Sequence, residues 1–137
     1  MPDEPLITDR LAIADLFTRF ALVLDEQRWD DLATIFHDDV ALHSPRGGRL
    51  RGIQELADFL RRSEVEGEGT QHTHSDLLVD LNGDQAAVTA NSIAYYFREG
   101  QSPHRIGGLR LTSTAARTRT GWRITEHEVR PLWIREA

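Results

Sequence analysis

The chain has 137 residues, 39% hydrophobic and 28% charged, with 22 acidic and 16 basic side chains, a formal charge of −6 and no cysteine. That is enough chain for one domain with its own core, residues 1–137, and it excludes a disulfide framework and thiolate chemistry. The acidic balance argues against nucleic acid as a partner, because displacing phosphate counterions takes clustered Lys and Arg.

The opening Met-Pro-Asp-Glu-Pro has no basic segment followed by an apolar run, and no apolar stretch approaches membrane-spanning length. No signal peptide and no membrane contact are therefore expected, and the expected location is cytoplasmic. Residues 1–7 read as a short arm. Thr8 can cap a helix that begins at Asp9, whose carboxylate suits the positive helix start. Ile13, Phe17, Phe20, Ala21 and Leu24 then recur at helical spacing and make one apolar face. Asp25 falls at the edge of that stripe, where a carboxylate is costly unless something pairs with it; the competing reading is a helix end already in solvent.

Asp30 can cap a second short helix containing Leu32, Ile35 and Phe36, with Trp29 packing back on the first. His37-Asp38-Asp39 ends that helix, Val40 to Ser44 reads as a short strand, and Pro45-Arg46-Gly47-Gly48 has turn chemistry. A third helix is expected from Ile53 to Arg62. Ser63 to Gly69, rich in Glu and Gly, reads as a solvated loop placed to act as a flap over a pocket mouth.

From there the period changes to two. Leu77, Val79 and Leu81 alternate up to the turn at Asn82-Gly83-Asp84, a strong hairpin signal. Gln85 to Arg98, Ile106 to Arg119 and Trp122 to Trp133 follow as strands joined by short turns. Helices followed by a strand meander indicate α+β. The expected architecture is a conical barrel, a strongly curved and mainly antiparallel sheet wrapped around the N-terminal helices with an internal pocket. Asp25, near the end of the first helix, and His72, near the start of the meander, could meet in that pocket.

The chemistry concentrates in Gly69-Thr70-Gln71-His72-Thr73-His74-Ser75-Asp76. On a regular strand His72, His74 and Asp76 share one face. They could then supply three ligands to a metal, with His43, His104 or His127 as a fourth. The same residues could instead line a pocket.

Several segments resemble the SnoaL-like branch of the nuclear transport factor 2-like superfamily. They are Leu24-Asp25 with Trp29, Leu32 with Ile35-Phe36 and Asp38-Asp39-Val40, Gly52 with Leu56, Thr70-Gln71-His72, Gly83-Asp84 with Ala86, and Gly121-Trp122-Arg123-Ile124. The resemblance covers nearly the whole chain. It implies a conical α+β barrel with a deep apolar pocket, a homodimer or homotrimer, and no metal or other cofactor. The fold hosts isomerases, dehydratases, cyclases, hydrolases and binding modules, so it does not by itself define a reaction. Scytalone dehydratase and hexachlorocyclohexane dehydrochlorinase use an Asp at the end of the first helix and a His on the strand opening the sheet, and Asp25 and His72 match those positions. Leu24 replaces a Tyr of the scytalone enzyme, and His127 stands near an Arg of the dehydrochlorinase. The catalytic Asp and the oxyanion Tyr of ketosteroid isomerase would fall at Ser44 and Phe20, so both its essential groups are missing.

The resulting expectation is a cofactor-independent lyase or isomerase acting on a small apolar molecule. His72 is the general base and Asp25 holds its tautomer and stabilises the imidazolium. Tyr96, His127, Asp76, Leu42, Phe20 and Trp29 are expected to contact the substrate, with His127 sharing a strand face with Arg123 and Thr125. The alternatives are a non-catalytic ligand-binding or assembly domain using the same cavity, and a polyketide cyclase-type enzyme.

Overall fold

The computed structural model describes residues 4–136, and side chains from residue 6 onward. Helix α1 (Glu4–Glu26) is followed by a single 3₁₀ segment (Trp29–Thr34), strands β1 (Phe36–Ser44) and β2 (Gly48–Arg51), helix α2 (Gly52–Arg62), and the long strands β3 (Glu68–Asn82), β4 (Gln85–Arg98), β5 (Arg105–Thr118) and β6 (Gly121–Glu136). The sheet order is β2-β1-β6-β5-β4-β3, antiparallel throughout except for the parallel pair β1–β6.

The α+β class stands, but the sheet is curved and open instead of closing into the expected barrel. The edge strands β2 and β3 lie at opposite ends of the order and do not pair. Helix α1 lies against β3 and β6. Its Ile13, Leu16, Phe17, Phe20 and Val23 are buried with Leu32, Ile35, Phe36, Val40, Val88, Leu111 and Ile124. Burying one such large apolar side chain contributes about 1.5–3 kcal/mol relative to leaving it exposed.

Local signals were overridden in several places. The helix begins at Glu4, not Asp9, and takes in residues 4–7 of the expected arm; Pro5 stands in the first turn, where no N–H is needed. The other part of that arm, residues 1–3, lies outside the described residues. Asp30 does not cap the second helix, since Arg28 occupies that place without a side-chain hydrogen bond. Ile35 caps the end of the 3₁₀ segment and Phe36 already opens β1, because β6 offers them partners: Ile124 N–H donates to the Ile35 carbonyl, and Phe36 pairs with Ile124. Strand β2 went unrecognised, and it forms a hairpin with β1.

The hairpin after β3 uses Gly83-Asp84 as its two-residue loop, with Asn82 paired to Gln85 and φ of 62° at Gly83. A glycine at the first central position suits such turns because it takes positive φ without strain. Strand β4 begins and ends as expected.

Candidate active site

The inner face of the sheet and the C-terminal half of α1 enclose a cavity of about 460 Å³. Its wall includes Phe20, Leu24, Leu42, His72, His74, Ser92, Tyr96, Leu111 and His127. Strands β3, β4 and β5 contribute alternate residues, as the pleat dictates. In β4 these are Ser92, Ala94 and Tyr96, and in β5 Gly107, Leu109 and Leu111.

Asp25 projects from the last turn of α1, a turn with no basic residue. A carboxylate there faces the negative end of the helix dipole, so its stabilisation has to come from outside the helix. Strand β3 supplies it. The Thr70 hydroxyl donates to Asp25 Oδ1 at 3.1 Å, and the His72 backbone N–H donates to both oxygens at 2.9 and 3.1 Å. The His72 ring closes the set, with Nδ1 2.7 Å from Oδ1. An ionised carboxylate only accepts, so Nδ1 carries a proton and the lone pair of the neutral ring sits on Nε2. The two side chains are only 13% and 17% exposed, in a partly desolvated setting that strengthens the pair.

Two further imidazoles stand in the wall. His74 Nδ1 is 2.8 Å from the Phe17 carbonyl oxygen. Burial pushes its pKa below the usual histidine range, opposed by that hydrogen bond and reinforced by the charge of His72. His127 is 3% exposed, with Nδ1 2.7 Å from the Ser113 hydroxyl and aromatic neighbours Phe20 and Phe36. Burial first, and the charge of His74 second, lower its pKa to about 3. It is therefore a neutral group at ordinary pH.

The sequence profile of the SnoaL-like domain matches residues 5–128. The chain belongs to the SnoaL-like family. Solved structures agree on the fold. A candidate scytalone dehydratase from Novosphingobium aromaticivorans is 18% identical, with a TM-score of 0.82 over 96% of this chain and 89% of that one. The hexachlorocyclohexane dehydrochlorinase LinA-type3 from Novosphingobium barchaimii is 16% identical, with a TM-score of 0.83 over 96% and 91%. A nuclear transport factor 2 (NTF2-like) superfamily protein from Salmonella enterica is 16% identical, with a TM-score of 0.81 over 93% and 94%. No curated protein matches the chain.

In this SnoaL-like chain Asp25 and His72 come together, and Phe20, Trp29, Leu42, Tyr96 and His127 all reach the cavity wall. Trp29 also ties the wall to the loop after α2, its indole N–H donating to Glu64 at 2.7 Å, so that loop does edge the mouth, although β3 already begins at Glu68. The Arg105 guanidinium carbon stands 3.9 Å from the centre of the Tyr96 ring, a cation–π contact at the cavity.

Asp76 does not join them. The β3–β4 register shifts between Ser75 and Leu78, and Asp76 adopts φ of 54°, a left-handed conformation that Asp tolerates. Its exposed carboxylate accepts from the Asn91 side chain at 3.2 Å. The shift turns the inner face from His72 and His74 to Leu77 and Val79. The same-face triad that a metal would need is thus not formed by His72, His74 and Asp76. A second irregularity, between Thr114 and Ala115 on β5, pairs Ala115 with Ile124 and Thr114 with Glu126, leaving Thr125 as the extra residue. His127 consequently shares its face with Trp122 and Ile124, not with Arg123 and Thr125.

Thr70, Ser92 and Ser113 were missed as site residues. The signal for Ser92 was available, since it has the same strand parity as Tyr96. The same signal was available for Thr70, two residues before His72 on β3, whereas Ser113 is found only from the partner that the fold brings to it.

Proposed function

We propose that the chain is a cofactor-independent lyase or isomerase that removes a proton from a small, mostly apolar molecule, with His72 as base and Asp25 as its orienting carboxylate. The observation that carries this reading is the 2.7 Å contact between His72 Nδ1 and Asp25 Oδ1 at the wall of an apolar cavity. Proton transfer to a positioned side chain typically accounts for about 10²–10⁴ in rate. The dehydratase and dehydrochlorinase names borne by two neighbours of the fold agree with this chemistry.

When Nε2 takes a proton from carbon, the bonding pair stays on the substrate. With a leaving group on the adjacent carbon, the pair becomes the double bond and the leaving group departs with its own electrons. Hydroxide leaving from the same side can take the proton back from His72 and depart as water. Next to a carbonyl, the pair moves to oxygen as an enolate, and reprotonation at another carbon gives an isomer. Tyr96 is the proposed donor to a substrate oxygen, and Phe20, Leu42 and Trp29 complete the apolar wall. A homodimer or homotrimer is part of the proposal, with Trp133 and Ile134, 49% and 63% exposed at the end of β6, as contact residues.

The test is proton exchange in D₂O with 2-tetralone and related small ketones, followed by proton NMR. The wild type is expected to speed loss of the α-proton signal well above the buffer rate, and His72→Ala to abolish the gain. Exchange by His72→Ala at the wild-type rate would overturn the base assignment. Absence of exchange together with tight binding of these ketones would favour the binding-module alternative.

A further inference from the structure

Of the three imidazoles of the cavity, His72 and His74 each keep a bare Nε2, whereas that of His127 is closed off. His127 Nε2 is sealed off and has no hydrogen-bond partner among the described residues. His72 spends its Nδ1 proton on Asp25. His74 spends its own on the Phe17 carbonyl oxygen, which can only accept. The lone pair of neutral His74 is therefore on Nε2. That atom has no hydrogen-bond partner among the described residues, is not sealed off as His127 Nε2 is, and belongs to a ring that lines the cavity. Phe20 packs against the ring, 5.9 Å between centres, and limits its rotation.

We propose that His74 is a specificity residue that reads a hydroxyl group on the ligand, its Nε2 accepting the O–H. The ligand class is then a hydroxylated, otherwise mostly apolar carbon acid, and not a carboxylate or a bare hydrocarbon. The ring centres of His72 and His74 are 6.1 Å apart and nearly perpendicular, so one small molecule can present a C–H to the first and an O–H to the second. A lone pair on a neutral ring repels a carboxylate and gains nothing from an ether or ketone oxygen, whereas a hydroxyl satisfies it. Burial keeps the His74 ring in this accepting form, and the positive charge that His72 would acquire on taking a proton works in the same direction. The inference rests on the proposed use of this cavity, but not on which group takes the proton.

Matched probes test it. 2-Naphthol carries the O–H, and 2-methoxynaphthalene has the same rings and oxygen without it. Wild-type protein is expected to bind 2-naphthol roughly three- to tenfold more tightly, the range of one net hydrogen bond. The preference should vanish in His74→Leu and survive in His72→Ala. Survival in His74→Leu with loss in His72→Ala would overturn the assignment. So would equal binding of the two probes by the wild type. If His74→Leu does not fold, nitrogen-15 NMR of the wild type decides. The His74 Nε2 resonance should shift with 2-naphthol and stay in place with 2-methoxynaphthalene, and an unmoved resonance in both contradicts the proposal. Ketone exchange by His72 in D₂O is read separately, so either idea can fail while the other stands.

Discussion

Asp9 and Asp25 both reach from helix α1 to the sheet, and they meet opposite surroundings there. Asp9 is buried and held by fixed donors. The Arg117 guanidinium binds it at 3.0 and 2.8 Å, and the Trp122 indole N–H donates to it at 3.1 Å. Arg117 also donates to Asp84 at 2.9 Å and stacks over Trp122. The hydrogen bonds from Arg117 and then Trp122 hold the Asp9 carboxyl below the usual carboxylate range. No proton has a reason to move in that cluster, because an arginine does not give one up. Asp25 is instead paired with a ring that can gain and lose a proton, and the free nitrogen of that ring belongs to the cavity side. The same residue type on one helix thus fastens the fold at one end and, in the proposed reaction, supports the base at the other. What differs is the partner.

The largest expected effect is that of His72→Ala on ketone exchange, a loss of about 10²–10⁴ per folded molecule with little change in melting temperature. Asp25→Asn keeps the shape but removes the charge that stabilises the imidazolium. A loss on the order of 10² in the same assay is expected, because the base loses its support while staying in place. Asp9→Asn should do the reverse. It should lower the melting temperature by more than Asp25→Asn does and leave exchange per folded molecule near the wild-type value.

A smaller effect concerns acid stability, where the cavity histidines and Asp9 act in separate pH windows. The folded-state pKa of His127 is lowered to about 3 from an ordinary 6.5, so its neutral form is fully in place above 6.5. As pH falls from 6.5 toward 3, the unfolded chain binds a proton that the folded one refuses, and stability is lost. His74 acts in the same direction. Asp9 contributes above its ordinary value of 3.8 and is lost only as pH falls below that, through its lowered folded value. Urea unfolding at stepped pH should therefore weaken first through the cavity histidines. Replacing His127 by Phe and Ser113 by Ala together, so that neither hydrogen-bonding group is left alone, should make the decline between 6.5 and 3.8 shallower, with the part due to His74 remaining. The same pair of changes should leave the decline below 3.8 in place.

The pairing of Asp25 with His72 was legible in two steps: the helix and strand periods brought Asp25 and the His72–Asp76 stretch toward one interior, and the resemblance to SnoaL-like enzymes singled out His72. The strand boundaries of β4 were legible for a similar reason, with alternating residues between clear turns. Other features were not. Leu77, Val79 and Leu81 have opposite parity to His72 and His74, so both sets can face inward only if the strand carries an extra residue. Placing His72, His74 and Asp76 on one face passed over that conflict, which the irregularity at Asp76 resolves with a φ that Asp tolerates. The shift at Thr125 left no such mark, since both parities of that stretch include residues that can be buried. Phe36 read as helical because it follows Ile35, yet pairing with β6 decided its conformation. The environment of Asp9 was hidden for the same reason, its partners Arg117 and Trp122 lying far along the chain.

The most direct measurement needs no substrate. Long-range nitrogen-15 to proton correlation on the histidine rings, at a pH where His72 is neutral, reports which of its nitrogens carries the proton. The account predicts a protonated Nδ1 and a bare Nε2 in the wild type and in Asp9→Asn, with a mixture of tautomers in Asp25→Asn. A His72 ring protonated on Nε2 in the wild type, or one indifferent to Asp25→Asn, would contradict the claim that Asp25 prepares this imidazole to accept a proton from the cavity.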